Sequence, residues 1–285
     1  MFALLLGNMQ DGGLPHAGCV CGNCTAARRP DFPPHYVTSL AVVDERQTPP
    51  AVYVLDASPD IKHQLHLLAP WLGAHPSQPH RLRQPDGIFL THGHMGHVDG
   101  LAQLGKEAMN VQQLPVYASP VLGELVVENG LWRPWAHQLV LRPLTAAKPI
   151  TLAPDLTITP HLVPHRDEWG TGTFGFEIRG PHRSLFYVPD IDHWNQWPAA
   201  EEILGRVDVA IVDATFYSTT ELHRQIAIPH ATIPETLQLW QNLPSQLVLT
   251  HFNHTNPVLD PTSAARAAVT AAGATIGAVG LRWEL

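Results

Sequence analysis

The chain has 285 residues, 45% hydrophobic and 15% charged, with a formal net charge of −8. That composition supplies a core for one large domain or two small ones and argues against a disordered chain. No Lys/Arg run stands out, so a phosphate-backbone-binding stripe is excluded, and no apolar stretch approaches membrane-spanning length.

Taken in chain order, MFALLLGNMQDGG opens with a short apolar run and no positive leader. It reads as a first strand at 2–6, and the protein is expected to be soluble and cytoplasmic. Cys19, Cys21 and Cys24 follow within six residues. An odd, tightly clustered set in an intracellular chain points to a metal rather than to disulfides. Further strands are expected at 37–43, 51–56, 87–91, 156–163, 172–178, 184–188, 208–213 and 246–250. Helices are expected near 59–70, 97–108, 119–129, 231–242 and 261–272. Ser58-Pro59-Asp60 reads as a cap with proline just inside, and Pro234 and Glu235 fall in the first turn of the fourth helix. Strands alternating with helices imply sheets covered by helices, and no repeat of roughly 20–50 residues interrupts them. The proline-rich segments 75–85 and 143–154 read as surface loops, which leaves 1–285 as a single domain.

The strongest local signal is GIFLTHGHMGHVDGL at 87–101. An apolar strand ends at Thr91 and delivers His92, His94 and His97 into a glycine-rich turn. His92 and His94 alternate about Gly93, so their rings share one side of an extended backbone. Three imidazoles converging there suit zinc, iron or manganese. Later strands end in residues of the same kind: His165 after LTITPHLVP, Asp190 after SLFYVP and His251 after QLVLT. Such strand ends furnish a site at one rim of a sheet sandwich. The three cysteines supply thiolates for a tetrahedral zinc that needs a fourth ligand, and His254, three residues after His251, is the best candidate.

His230 precedes a helix and reads either as a solvent-exposed helix start or as a proton donor to a leaving alkoxide. Asp213 reads either as an orienting carboxylate behind a metal ligand or as a buried cap. The loop Arg166–Gly170 and the segment His193–Trp197 combine aromatics with polar groups and are expected to line a substrate pocket. Trp132 and Trp135 read as exposed, in a homodimer contact or a lid.

The order H-x-H-x-x-H, then His165, Asp190 and His251, resembles the metal signature of the metallo-β-lactamase superfamily. The resemblance implies an α/β fold, an αββα sandwich of two mixed sheets flanked by helices. It implies that His92, His94 and His165 hold a first metal, that Asp190 bridges, and that His97 and His251 hold a second. VLDASPD resembles that fold's early strand, with Asp56 buttressing the metal loop. One departure is plain: the superfamily reads H-x-H-x-D-H, and Gly96 stands where that second-metal aspartate belongs. The second site is therefore expected to be weak, empty or differently occupied, and Asp99, in the following helix, is not expected to substitute.

Cys19-x-Cys21-x-x-Cys24 with a downstream histidine narrows the resemblance to the branch holding coenzyme PQQ synthesis protein B and the phosphodiesterase of the carbon–phosphorus lyase pathway. HAGCVCGNC, LDASPDIKHQL, VDVAIVDATFYS and NHTNPVLD resemble the first, whereas the intact H-x-H pair matches the hydrolase side. The branch implies one or two catalytic divalent metals (zinc, manganese or iron), a structural zinc in an N-terminal loop near 16–25, and a small-molecule substrate. It implies hydrolysis of a phosphodiester or similar ester by a metal-activated hydroxide, with Asp190 and His230 in catalytic roles. Two alternatives accompany it: an iron- and O2-dependent oxidase or hydroxylase in biosynthesis of PQQ or a related peptide-derived cofactor, and a non-catalytic metal-stabilised carrier.

Overall fold

Phe2, Leu4 and Leu6 face one side of the first strand, Ala3 and Leu5 the other, and all five are buried. A strand apolar on both faces has to be covered on both, and that requirement sets the layering. The protein, a computed structural model, describes residues 1–222 and 229–285. The first half carries β1 (Phe2–Gly7), β2 (Ser39–Asp44), β3 (Ala51–Leu55), β4 (Ala74–His75), β5 (Gln78–Leu82), β6 (Gly87–Phe89), β7 (Leu114–Ala118) and β8 (Leu139–Pro143). The second carries β9 (Ile150–Ala153), β10 (Leu156–Val163), β11 (Thr173–Arg179), β12 (Ser184–Val188), β13 (Val209–Asp213), β14 (Gln246–Thr250), β15 (Thr275–Ile276) and β16 (Arg282–Glu284).

Two seven-stranded sheets result, ordered β16-β1-β2-β3-β6-β7-β8 and β15-β14-β13-β12-β11-β10-β9. Both are mixed: β1 to β3 pair antiparallel and β3, β6, β7 and β8 parallel, while β9 to β12 pair antiparallel and β12 to β15 parallel. Leu5, Leu40, Phe89, Phe176, Tyr187 and Ile211 fill the space between the sheets. Leu65, Leu68 and Val126 cover the outer face of the first sheet; Ile203, Ile233 and Val269 cover that of the second. Each such side chain contributes about 1.5–3 kcal/mol through burial. This is the expected αββα sandwich. No helix among the described residues is long and apolar enough to cross a membrane.

Local departures have local causes. The segment 75–85 is not loop alone: it holds the hairpin β4–β5, and 143–154 ends in β9. The first helix is split into Ile61–Leu67 and Ala69–Leu72, and it starts two residues late. Ser58 does not cap it: its hydroxyl accepts from the Asp60 amide and donates to Gln64 Oε1. The expected helix 97–108 is a turn at Met95–Val98 followed by a 3-10 stretch at Asp99–Leu104. Trp135 is not exposed but buried, its indole packed where a Gly105 side chain would otherwise stand. Trp132 is half-buried.

Candidate metal centres

The strands end at one rim, and the site hangs from those ends. Asp56 follows β3 and His251 follows β14, both in the left-handed region with φ of 66° and 62°. Non-glycine residues adopt that conformation at a cost of about 1–3 kcal/mol, a strain that concentrates at functional sites. Asp56 accepts from the Thr91 amide and hydroxyl through Oδ1, so it fixes the turn that carries the histidines.

Two adjoining donor sets meet there. His92 Nε2 lies 2.9 Å from His94 Nδ1, which lies 3.3 Å from His165 Nε2. Asp190 reaches this trio with Oδ1 3.7 Å from His165 Nε2. Its Oδ2 lies 3.1 Å from His97 Nε2 and 3.2 Å from His251 Nε2. Asp11, on the loop after β1, brings Oδ1 to 3.5 Å from His97 Nε2. The nitrogens that face away are anchored. His97 Nδ1 lies 2.8 Å from Asp56 Oδ2, His165 Nδ1 2.9 Å from Asp192 Oδ1, and His251 Nδ1 2.9 Å from Thr215 Oγ1. His92 Nδ1 meets Thr91 Oγ1 at 3.0 Å and His94 Nε2 meets Glu168 Oε2 at 3.1 Å. Outer partners of this kind set the tautomer and aim the inner nitrogen.

The inner atoms lack such partners. Asp11 Oδ1, His97 Nε2, Asp190 Oδ2 and His251 Nε2 are buried and without a hydrogen bond among the described residues. Buried polar atoms are normally satisfied, so four orphans facing one another fit a cation. The electrostatics agree. Burial, with the neighbouring His97, holds His92 well below the usual imidazole range, in the neutral ligating form. Burial opposes a charge on His97, yet Asp56, Asp11 and Asp190 outweigh it and hold His97 well above that range. Burial would raise Asp190, but His251, His165 and His92 keep it well below the usual carboxylate range. The carboxylates thus draw positive charge into the pocket, and a metal ion competes for the same donors.

His230 Nδ1 sits 2.7 Å from Asp213 Oδ2 and 4.0 Å from Asp190 Oδ1, beside the trio. Burial lowers its affinity for a proton, but Asp213 more than compensates, and its imidazole is pushed up to about 9. It is therefore not a solvent-exposed helix start. Asp213 is buried and serves as more than a cap, since it accepts from the Ile191 and Thr215 amides and also pairs with His230.

A second cluster lies outside the sandwich rim. Cys21 Sγ and Cys24 Sγ are each 3.5 Å from His254 Nδ1, and with Cys19 they place four donor atoms within 4.8 Å of one another. Burial pushes the Cys24 thiol up to about 12, whereas a hydrogen bond from the Cys21 amide lowers Cys19. Three sulfurs and one imidazole match a closed structural zinc site.

All ten candidate ligands fall in these two regions. Asp99 is exposed and lines a recess of about 370 Å³ beside Gly93, with Met95, Leu125, Trp132 and Trp169. Trp169 thus lies where the sequence places it, at a pocket wall. The segment at His193–Trp197 lines a separate recess of about 690 Å³ with Glu201, Glu235 and Gln238, and Trp194 and Trp197 also pack against Trp240 and Phe186 in the outer core. The residue missing from the sequence reading is Asp11. A lone aspartate in a glycine-rich loop carries no spacing signal, and only the tertiary fold brings it to His97.

The beta-lactamase superfamily domain model matches residues 52–252. The coenzyme PQQ synthesis protein B of Methylobacterium sp. (strain 4-46) is 29% identical, covering 100% of both chains. That of Cupriavidus necator is 28% identical over 99% of this chain and 98% of its own. Among solved structures, zinc-bound PqqB from Methylobacterium extorquens superposes with a TM-score of 0.85 at 23% identity, covering 100% of both chains. A diphosphatase of the PhnP family superposes at 0.71 and 20% identity, over 100% of this chain and 98% of that one.

Proposed function

The chain belongs to the beta-lactamase superfamily, and from that premise we propose that it is a metal-dependent hydrolase cleaving a phosphodiester or similar ester of a small molecule. The observation that carries this reading is the pair of adjoining donor sets joined by Asp190, with outward nitrogens anchored and inward atoms orphaned. His92, His94 and His165 would hold one divalent ion, and His97, His251 and Asp190 a second; the donor set suits zinc or manganese. Ions bound there supply Lewis acidity, polarising a phosphoryl or acyl oxygen and acidifying water. Cys19, Cys21, Cys24 and His254 would hold a structural zinc.

The chain's own groups supply the rest. With Nδ1 bonded to Asp213, which favours the protonated imidazole, His230 is placed to protonate the leaving alkoxide. The recess beside His94, walled by Met95, Leu125 and Trp169, accepts an apolar part of the substrate. The diphosphatase fold neighbour supports hydrolysis at a phosphoryl group.

Full-length similarity to coenzyme PQQ synthesis protein B favours a second reading, an iron- and O2-dependent oxidase or hydroxylase in the biosynthesis of that or a related peptide-derived cofactor. Histidine sites with a carboxylate suit non-haem iron too. Turnover of bis(p-nitrophenyl) phosphate by the zinc- or manganese-loaded protein separates the two. Hydrolysis that survives removal of O2 and disappears in His94→Ala supports the hydrolase. Absence of hydrolysis, with iron-dependent O2 consumption on a tyrosine-containing peptide, overturns it.

A further inference from the structure

The residue at 96 is glycine, and the reason is a residue distant in sequence, Asp11, but adjacent in space. A Cβ built on Gly96 would stand 2.1 Å from Asp11 Oδ1 and 2.7 Å from Asp11 Cα. Real side chains never approach so closely, so the place that a side chain at 96 would take is filled by the aspartate of another segment. We propose that Asp11 is a ligand of the second metal, delivering from the N-terminal loop the carboxylate that the metal loop lacks at Gly96. The inference rests on the metal-binding reading above.

Three observations carry it. First, the loop is fixed rather than merely nearby. Met9 bridges to both Val37 and Phe252, the Gln10 amide donates to the Phe252 carbonyl, and the Gly13 amide closes a turn on the Gln10 carbonyl. Phe252 directly follows His251, so Asp11 and that ligand are held by one backbone connection. Second, the carboxylate is half used. Asp11 Oδ2 accepts from Gln10 Nε2 at 3.0 Å, while Oδ1 is buried and unpartnered among the described residues. That is the state of a monodentate ligand whose second oxygen is steered from outside. Third, the other three orphaned atoms on this side of the pocket, His97 Nε2, His251 Nε2 and Asp190 Oδ2, belong to side chains at most 2% exposed. Asp11 Oδ1 completes with them a set of two nitrogens and two carboxylate oxygens, a composition that holds zinc or manganese.

The consequence is an exclusion. With the N-terminal loop in place a side chain at 96 meets both the carboxylate and the Cα of Asp11, so the second ion takes its carboxylate from Asp11. Manganese is the discriminating probe, because thiolate sites select softer metals and the cysteine cluster stays out of the count. The protein is titrated with Mn²⁺, followed by calorimetry and by the electron paramagnetic resonance of paired ions, with a circular dichroism melt of each variant to establish folding. Wild type is expected to bind two coupled ions. Asp11→Asn, nearly isosteric, is expected to bind the second at least about 100-fold more weakly and to show an uncoupled spectrum. Gly96→Asp alone is expected to lower the melting temperature through the overlap with Asp11. Asp11→Gly combined with Gly96→Asp keeps the Cα at 11 that a Cβ at 96 would meet at 2.7 Å, so it is expected to remain less stable than wild type and not to regain the second ion. Two coupled ions of unchanged affinity in Asp11→Asn overturn the inference and leave the hydrolase reading standing. A single ion in wild type also overturns it alone, and no ion in wild type overturns both.

Discussion

The histidine pocket and the cysteine cluster use similar donor atoms and are held in opposite ways. In the pocket, every ligand leaves the end of a strand or the turn after one, and each outward nitrogen has a fixed partner such as Asp56, Asp192 or Thr215. In the cluster, three of the four donors sit on a loop and a five-residue helix, Gly22–Ala26, with Cys19 and Cys21 half-exposed. Backbone amides of the same loop are what steer those sulfurs: Cys19 Sγ accepts from the Cys21 amide and Cys24 Sγ from the His16 amide. The scaffold therefore shapes the pocket before any ion arrives, whereas in the cluster the ion is expected to shape the loop. Removing a ligand should accordingly cost chemistry in the first region and structure in the second.

The largest effect is expected from His92→Ala. Loss of a ligand from a preformed pocket removes Lewis acidity worth several kcal/mol, so turnover of the phosphodiester probe should fall by at least about 10³-fold. The fold should survive, with a melting temperature within a few degrees of wild type. Activity within tenfold of wild type would break the contrast at its root.

Cys24→Ser should show the reverse. The thiol is fully buried, and loss of the zinc it helps to hold is expected to lower the melting temperature by about 5–10 °C. Because the same N-terminal loop carries Asp11, a slackened cluster should also weaken the second pocket ion, by about tenfold, while the His92–His94–His165 ion is retained. A melting temperature unchanged within about 1 °C, read by calorimetry with the zinc content of both proteins measured, would show that the sulfurs hold nothing structural.

How much of this was legible follows the range of the interactions. The two sheets could be read because β1, β10, β12, β13 and β14 are apolar runs with local pattern, and the ligands because they punctuate those runs. The cysteine cluster is compressed into six residues, and His254 follows His251 by a fixed offset. Short or proline-bearing strands at or next to the sheet edges were illegible: LPVYA of β7, LVLRP of β8 and RWE of β16 acquire strand geometry only from their neighbours in the sheet. Trp135 looked exposed because it lies in a polar stretch, and only tertiary packing over Gly105 buries it. Asp11 was invisible for the same reason at longer range, since the bridges from Met9 to Val37 and Phe252 join segments far apart in the chain.

Asp56→Asn sharpens the contrast by removing an anchor instead of a ligand. Asp56 Oδ2 meets both His97 Nδ1 and the Tyr187 hydroxyl, and Oδ1 fixes Thr91. Loss of such an outer carboxylate typically lowers metal affinity by about 10–100-fold. That loss should fall on the second pocket ion, read by Mn²⁺ titration, with the zinc of the cysteine cluster unchanged. Equal weakening of both regions would mean that Asp56 supports the whole rim rather than one ligand.

The smallest effect concerns acid. Ions leave both regions as their ligands protonate, so the scaffold's own response has to be separated from metal loss. Glu177 on β11 provides it. Burial favours its neutral form, but His161 Nε2 at 3.0 Å and Arg206 at 2.7 Å, with Arg179, overcome burial and hold the carboxyl down at about 2. A group lowered from its ordinary 4.5 contributes stability that is fully present above pH 4.5 and fades as pH falls toward 2. Both arginines are substantially exposed, so solvent screens the pairs and the contribution is about 1 kcal/mol. In chelator, Glu177→Gln should unfold at lower urea than wild type at pH 6, with the gap closing as pH falls from 4.5 toward 3. A gap that persists unchanged to pH 3 would remove Glu177 from the acid response and leave ion release as the cause of acid sensitivity in both regions.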